Sequence, residues 1–183
     1  MAAGEDREIG DVEGPRVYDL ATLAAVHSSN TTMIYLTRKA EFSSAHFYRN
    51  PAWSEEKNRE VFGKCANTNG HGHNYTLEVT VGGEVDPVTG FVVDLKLLKD
   101  ILEQEVVSVY DHRHLNHEVP EFANVVPTTE NIAVAIWRRL DGKIPNAKLQ
   151  RVRVYEMDDL FADFYGEGLD NQPSATAAPE LVA

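Results

Sequence analysis

The chain has a single cysteine, Cys65, among its 183 residues. No internal disulfide is available, so Cys65 is an apolar filler, a metal ligand or a reactive thiol. No apolar run nears the roughly 18 residues that a membrane-spanning helix needs. The acidic start, residues 1–13, lacks the charged-then-apolar pattern of a secretory leader. No membrane association is expected, and a cytoplasmic location is the default. Basic residues are also scarce: 17 Lys and Arg face 29 Asp and Glu, a net charge of −12. That balance argues against nonspecific nucleic-acid binding, which needs a basic footprint. It leaves room for an anionic small molecule held by a local cationic cluster. Hydrophobic residues make up 43% of the chain, enough for a real core, and the length suits one domain with some tail.

Residues 1–32 are expected to form an N-terminal extension, disordered over 1–15, with a short helix over 18–26 and a polar linker over 28–32. The domain is expected over 33–168, followed by a loose Ala/Pro/polar tail over 169–183. Residues 33–47 alternate as a strand, imperfectly because Arg38 shares the parity of Ile34, Leu36 and Phe42, and a bulge there would change the parity. The polar stretch 48–69 is long for a loop, and such loops are usually functional. A helical turn is suggested at Ser54–Glu60. A second strand runs from His71 to Gly83, with Tyr75, Leu77, Val79 and Val81 apolar and the residues between them polar.

The composition of 86–90 makes a turn, and 91–93 is read as short and extended. Asp94 caps a helix to about Val109 with Leu95, Leu98, Leu102, Val106 and Val109 on one face. Residues 111–120 form a polar loop with three histidines. Thr128 or Thr129 caps a second helix through Leu140, and strands follow over 148–157 and 160–165. This order predicts an α+β domain: a four-stranded antiparallel sheet with two helices on one face (ββααββ). Such a sheet has two open edges, which oligomerisation would cover.

Four constellations carry chemistry. His71 and His73 lie two apart on a strand and so share a face. With His46, near the end of the preceding strand, they make three neutral nitrogen donors suited to Zn²⁺ with an open fourth position, the arrangement of a catalytic site. His114 and His117 are weaker ligand candidates. Cys65, with five residues between it and His71, can fold back over such a site from the loop. A thiol there is a base or nucleophile if a metal, histidine or cation lowers its pKa, and an inert buried thiol otherwise. Asp111-His112 is a relay or simply a solvated pair. Glu156 shares a strand face with Val152 and Val154. A carboxylate so placed needs a donor-rich partner, either an arginine or a ligand with an amidine-like N–H edge. Glu130 suits the positive end of its helix.

Taken together and in order, several motifs resemble the 6-pyruvoyl-tetrahydropterin synthase family. They are Phe42-Ser43-Ser44-Ala45-His46, Phe62-Gly63-Lys64-Cys65, Asn69-Gly70-His71-Gly72-His73-Asn74-Tyr75, Glu84-Val85-Asp86-Pro87-x-Thr89-Gly90, Asp111-His112, Thr128-Thr129-Glu130-Asn131 and Tyr155-Glu156. The resemblance runs from about Met33 to Gly168. It implies Zn²⁺ on His46, His71 and His73, Cys65 as general base, and Asp111 and His112 as its relay. It implies that Glu156 anchors the 2-amino-4-oxo edge of a pterin, with Thr128, Thr129 and Glu130 near the ring.

The implied fold is the tunnelling fold, in which three chains pair strand edges into a barrel and two trimers stack into a homohexamer with active sites between subunits. The implied reaction converts 7,8-dihydroneopterin triphosphate to 6-pyruvoyl-tetrahydropterin with loss of triphosphate. Lys39, Arg49, Lys64 and Arg113 are candidates for holding the triphosphate. The rival is 6-carboxy-tetrahydropterin synthase, on the path to queuosine, which uses the same substrate. The Cys65–His71 spacing resembles the pyruvoyl-forming enzymes more. A third reading is a non-catalytic, metal-stabilised binding module, which would need a fourth protein ligand to close the site.

Overall fold

The computed structural model describes residues 33–167. The extension over 1–32 and the tail over 169–183 lie outside the described residues. Strand β1 (Ile34–His46) pairs antiparallel with β2 (His71–Gly83) in unbroken register, from Ile34 opposite Gly83 to His46 opposite His71. β4 (Lys148–Met157) continues the sheet on the far side of β2, and β5 (Leu160–Phe164) forms its edge. The expected parity holds: Phe42, Ser44 and His46 are buried, and no bulge interrupts β1. Arg38 is accommodated on that face because β1 is exposed to half-buried at its start.

The sheet differs from the expected one in a single respect. It has five strands and is mixed, in the order β3-β1-β2-β4-β5. β3 (Arg113–His114) lies in what reads as a polar loop and runs parallel to β1 at Ser44 and Ala45. A two-residue strand has no alternation to betray it. It forms because the chain is clamped to the edge of β1: Ser43 N–H donates to Asp111 Oδ1 at 2.7 Å, and His112 N–H donates to Ser43 O at 2.6 Å. His112 adopts φ +57° to do this, an uncommon conformation for a residue other than glycine. Residues 91–93, read as extended, pair with no strand.

Three helices matter here. α1 (Glu55–Phe62) extends the suggested turn and is capped by Ser54, whose side chain accepts from Lys57 N–H. α2 (Leu95–Leu102) starts at Asp94, whose carboxylate accepts from Lys96 and Leu97 N–H. It does not run on as a regular α-helix to Val109; a π-turn (Glu103–Val107) intervenes. Leu98, Leu102, Val106 and Tyr110 are all essentially inaccessible. In a regular helix residues four apart drift by about 40° per step. The wider π-turn offsets that drift and keeps the four in line. α3 (Thr129–Leu140) is capped by Thr128. It buries Ile132, Ile136 and Leu140 on the core cluster formed by Tyr75, Leu77, Val79, Val152 and Val154. Each such side chain contributes about 1.5–3 kcal/mol. That packed face of β2 ends in His73 and His71, so the core and the candidate site share one face of the sheet.

Candidate active site

The β1–β2 register sets His46 opposite His71 and Ser44 opposite His73. Three imidazoles therefore converge at one end of the sheet. His46 Nε2 is 3.2 Å from His71 Nε2, and one nitrogen from each of the three lies within 4.8 Å of the others. His46 Nδ1 is 2.9 Å from the Pro127 carbonyl and must be the protonated nitrogen, which leaves the Nε2 lone pair facing the cluster. Tyr75 Oη lies 3.1 Å from the same Nδ1. Burial pushes the His46 pKa down to about 4, against the pull of the Pro127 bond. The ring is thus neutral near pH 7, as a metal ligand requires. Burial likewise lowers the His73 pKa.

These residues fit a metal ion. Tetrahedral Zn²⁺ with Zn–N bonds near 2.0–2.1 Å sets ligand nitrogens about 3.3 Å apart, close to the His46–His71 separation. His73 Nε2 is buried with no hydrogen-bond partner; Glu156 Oε1, 3.4 Å away, is at the limit of an ionic contact. Among the described residues no fourth His, Cys, Asp or Glu joins the cluster, so a metal held there would keep a position for a further ligand. His114 and His117 stack on each other instead, with ring centroids 4.3 Å apart.

Glu156 closes one side of the site. It is 8% exposed and shares the face of Val152 and Val154. Its Oε2 accepts from Thr129 Oγ1 and from Tyr48 Oη, the latter at 3.3 Å. Among the described residues its donor partners are hydroxyls, and no arginine pairs with it. Thr128 uses its hydroxyl as the α3 cap. Glu130 is exposed in the first turn of α3, away from the Glu156 contacts.

Tyr48 was not singled out from sequence. It sits two residues after His46, on the same parity, and that spacing was the available signal. Its ring lies edge-on to His46 at 5.0 Å, and its N–H donates to the Cys65 carbonyl at 2.8 Å. Burial and then Glu156 raise its pKa, so the phenol stays a donor. Asn58 was missed too. Completely buried, it accepts from Asn50 N–H and donates to Asn50, Trp53 and Ser54 carbonyls. It knits the long loop into a fixed shape.

Cys65 sits half-buried in a 3₁₀ turn (Gly63–Ala66) between α1 and β2. Burial pushes its pKa up, and Glu156 adds to the rise. The protein's own groups therefore oppose the thiolate, contrary to the lowering expected if a cation were beside it. Gly70, quoted above only as part of the Asn69–Tyr75 motif, turns the chain into β2 at φ +75°. A Cβ there would lie 2.8 Å from His114 Nε2 and 3.0 Å from His46 O.

Asp111 and His112 form a dyad, with His112 Nδ1 2.7 Å from Asp111 Oδ2. The Ser43 N–H bond, and then His112, hold the Asp111 carboxyl below its usual range. The dyad does not meet Cys65. His112 lines a cavity of about 420 Å³ with Ser43, Ser44, Ala45, Asn74 and His73, and Cys65 is not among the residues that line it. A larger cavity, about 640 Å³, lies at the C-terminal end of α3 beside Trp137 and Gly166 and holds no histidine or cysteine.

Residues 35–167 match the model of the 6-pyruvoyl tetrahydropterin synthase family. The chain is 46% identical over 132 residues to the 6-pyruvoyl tetrahydrobiopterin synthase of Homo sapiens, covering 72% of this chain and 91% of that one. The solved 6-pyruvoyl tetrahydropterin synthase of Caenorhabditis elegans superposes with a TM-score of 0.71 at 36% identity, over 74% of this chain and 97% of its own. A putative 6-carboxy-5,6,7,8-tetrahydropterin synthase of Archaeoglobus fulgidus is 39% identical over 100 residues, 55% of this chain and 77% of that relative. The chain belongs to the 6-pyruvoyl tetrahydropterin synthase family of lyase-type enzymes. Among the described residues no helix is long and apolar enough to cross a membrane.

Proposed function

We propose that the chain converts 7,8-dihydroneopterin triphosphate to 6-pyruvoyl-tetrahydropterin with elimination of triphosphate, using Zn²⁺ held by His46, His71 and His73. The observation that carries this reading is the convergence of three histidine nitrogens with a buried carboxylate, beside a thiol-bearing turn. We assign the chemistry to a domain over 33–168, with 1–32 and 169–183 outside it. Glu156 accepts hydrogen bonds from the 2-amino-4-oxo edge of the pterin, and Thr129 fixes the carboxylate from behind. Thr128 and Glu130 border the ring at the start of α3. When bound, zinc supplies a Lewis acid that polarises the side-chain oxygens and acidifies the adjoining C–H. Cys65 removes that proton, and triphosphate departs with the electron pair. Proton shifts through Cys65 and His112 complete a rearrangement with no net oxidation.

Because Asp111-His112 does not meet Cys65 within one chain, the relay reaches the thiol from a second copy of the chain, in a site between subunits. That fits the tunnelling fold and a homohexamer, a dimer of trimers. The exposed Leu160 and Phe161 of edge strand β5 support edge pairing. The second reading, 6-carboxy-tetrahydropterin synthase acting on the same substrate, draws on the archaeal relative. The five residues between Cys65 and His71 favour the pyruvoyl product. The position left for a further ligand weighs against a non-catalytic structural metal site.

The test is release of inorganic triphosphate from dihydroneopterin triphosphate. Zinc-loaded protein is expected to release it, and Cys65→Ala to release none while keeping its zinc. Near-normal release by Cys65→Ala would remove the thiol from the mechanism.

A further inference from the structure

We infer that the polyphosphate arm of the substrate is held by Lys64 and Arg59, in the cavity that flanks Cys65. This rests on the function proposed above and adds a subsite to it. Four cations were candidates from sequence, and the structure separates them. Lys39 lies 2.8 Å from Glu78 on the sheet face away from the histidines. Arg49 is paired with Glu55, and Arg113 lies 3.1 Å from Glu118. Lys64 has no ion-pair partner among the described residues. Arg59, which the sequence did not single out, forms no ion pair there either, although its charge acts on Glu55 and Glu56 of the same helix.

These two side chains line one cavity of about 460 Å³ together with Ala66, Asn67, Thr68 and Glu55. Lys64 and Ala66 are the chain neighbours of Cys65, so the cavity flanks the turn that carries the thiol, although the thiol itself does not line it. In a chain of net charge −12, two cations in one recess without a direct ion pair among the described residues stand out. The guanidinium offers a planar fork to phosphate oxygens and the ammonium a mobile point charge. The one acid in the recess, Glu55, is already engaged by Arg49. Thr68 Oγ1 is a further donor. Among the described residues Lys64 O and Asn67 Oδ1 are spent on the local turn, accepting from Asn67 and Asn69 N–H, so the recess presents mainly donors.

The probe is inorganic tripolyphosphate, titrated calorimetrically into zinc-loaded protein, with zinc content measured afterwards because the probe also chelates metal. Wild type is expected to bind it with zinc retained. The Arg59→Gln/Lys64→Gln double variant should bind about tenfold or more weakly, a loss typical of removing charge-assisted phosphate contacts, while Lys39→Gln binds like wild type. Equal affinity in the double variant, or an equal loss in Lys39→Gln, would overturn the assignment. Neopterin, which lacks phosphate, should bind wild type and the double variant alike. Loss of neopterin binding in the double variant would also overturn it, since the pocket would then be shaping the pterin site. Failure of neopterin to bind even wild type would count against the pterin reading, while the tripolyphosphate comparison still decides the subsite.

Discussion

At the residue scale, the site is a set of side chains with opposed electrostatic needs. Glu156 must remain an acceptor for the pterin edge, yet its charge works against the Cys65 thiolate. Glu156→Gln should therefore have two effects of opposite direction. Neopterin binding should weaken by about 1.5–3 kcal/mol, the worth of a hydrogen bond to a charged group; unchanged affinity in a binding titration would contradict the anchor role. In chelator-treated protein, alkylation of Cys65 should speed up at a given pH. The folded-state pKa, raised by the carboxylate, falls when the charge is removed, so the midpoint of rate against pH moves to lower pH. A midpoint that stays put or rises would show that Glu156 does not act on the thiol. The three-histidine cluster was legible from parity, because His46, His71 and His73 lie at the same end of two adjacent strands on their inward face. Tyr48 was not, since its role depends on a hydroxyl reaching across to β4, and no spacing within β1 encodes that.

At the element scale, the site depends on two hinges of backbone. Gly70 has φ +75° and no room for a Cβ beside His46 O. Gly70→Ala should cost about 1–3 kcal/mol of stability and weaken zinc retention, because it disturbs the carbonyl of a ligand residue. A melting temperature and zinc content equal to wild type would refute this. Asn58 holds the loop between β1 and the Cys65 turn through four hydrogen bonds. Asn58→Ala should destabilise by roughly 1–3 kcal/mol, since buried backbone groups lose their partners. Limited proteolysis should then cut first between Tyr48 and Asn69, and a cleavage pattern like that of wild type would argue otherwise.

The long elements were readable because alternation and heptad-like spacing persist over many residues. β1, β2, β4 and helix α3 appear where the pattern puts them, and α2 starts where its cap predicts but gives way to the π-turn. β3 was not readable, because two residues carry no period and its pairing is imposed by Asp111 on Ser43. The π-turn was also hidden: its signal, four apolar residues each four apart, looks like an ordinary helical face until the drift is reckoned.

At the scale of the whole molecule, the proposed machinery is divided within one chain. Cys65 lies in the turn before β2, and the Asp111-His112 dyad does not meet it. On the outer face Glu78 accepts from Lys39 and Arg151, and Asp163 pairs with Arg153 at 2.6 Å, so each of these cations has a carboxylate partner. A surface so paired can line an enclosed space without a large like-charge cost. The expected particle is a hexamer, six times the 20.4 kDa chain, measured by light scattering after size exclusion. A monomer retaining full turnover would contradict a relay supplied by a second copy. A complementation assay probes the same point. Mixing inactive Cys65→Ala and His112→Ala chains, after dissociation and reassembly, should restore part of the activity.

The most direct measurement is the mass of the pterin product formed when the zinc-loaded protein is incubated with 7,8-dihydroneopterin triphosphate. A product of the mass of 6-pyruvoyl-tetrahydropterin, with one triphosphate released per pterin, is the predicted result. A product carrying a carboxyl group at the same position, or unreacted substrate, would contradict it.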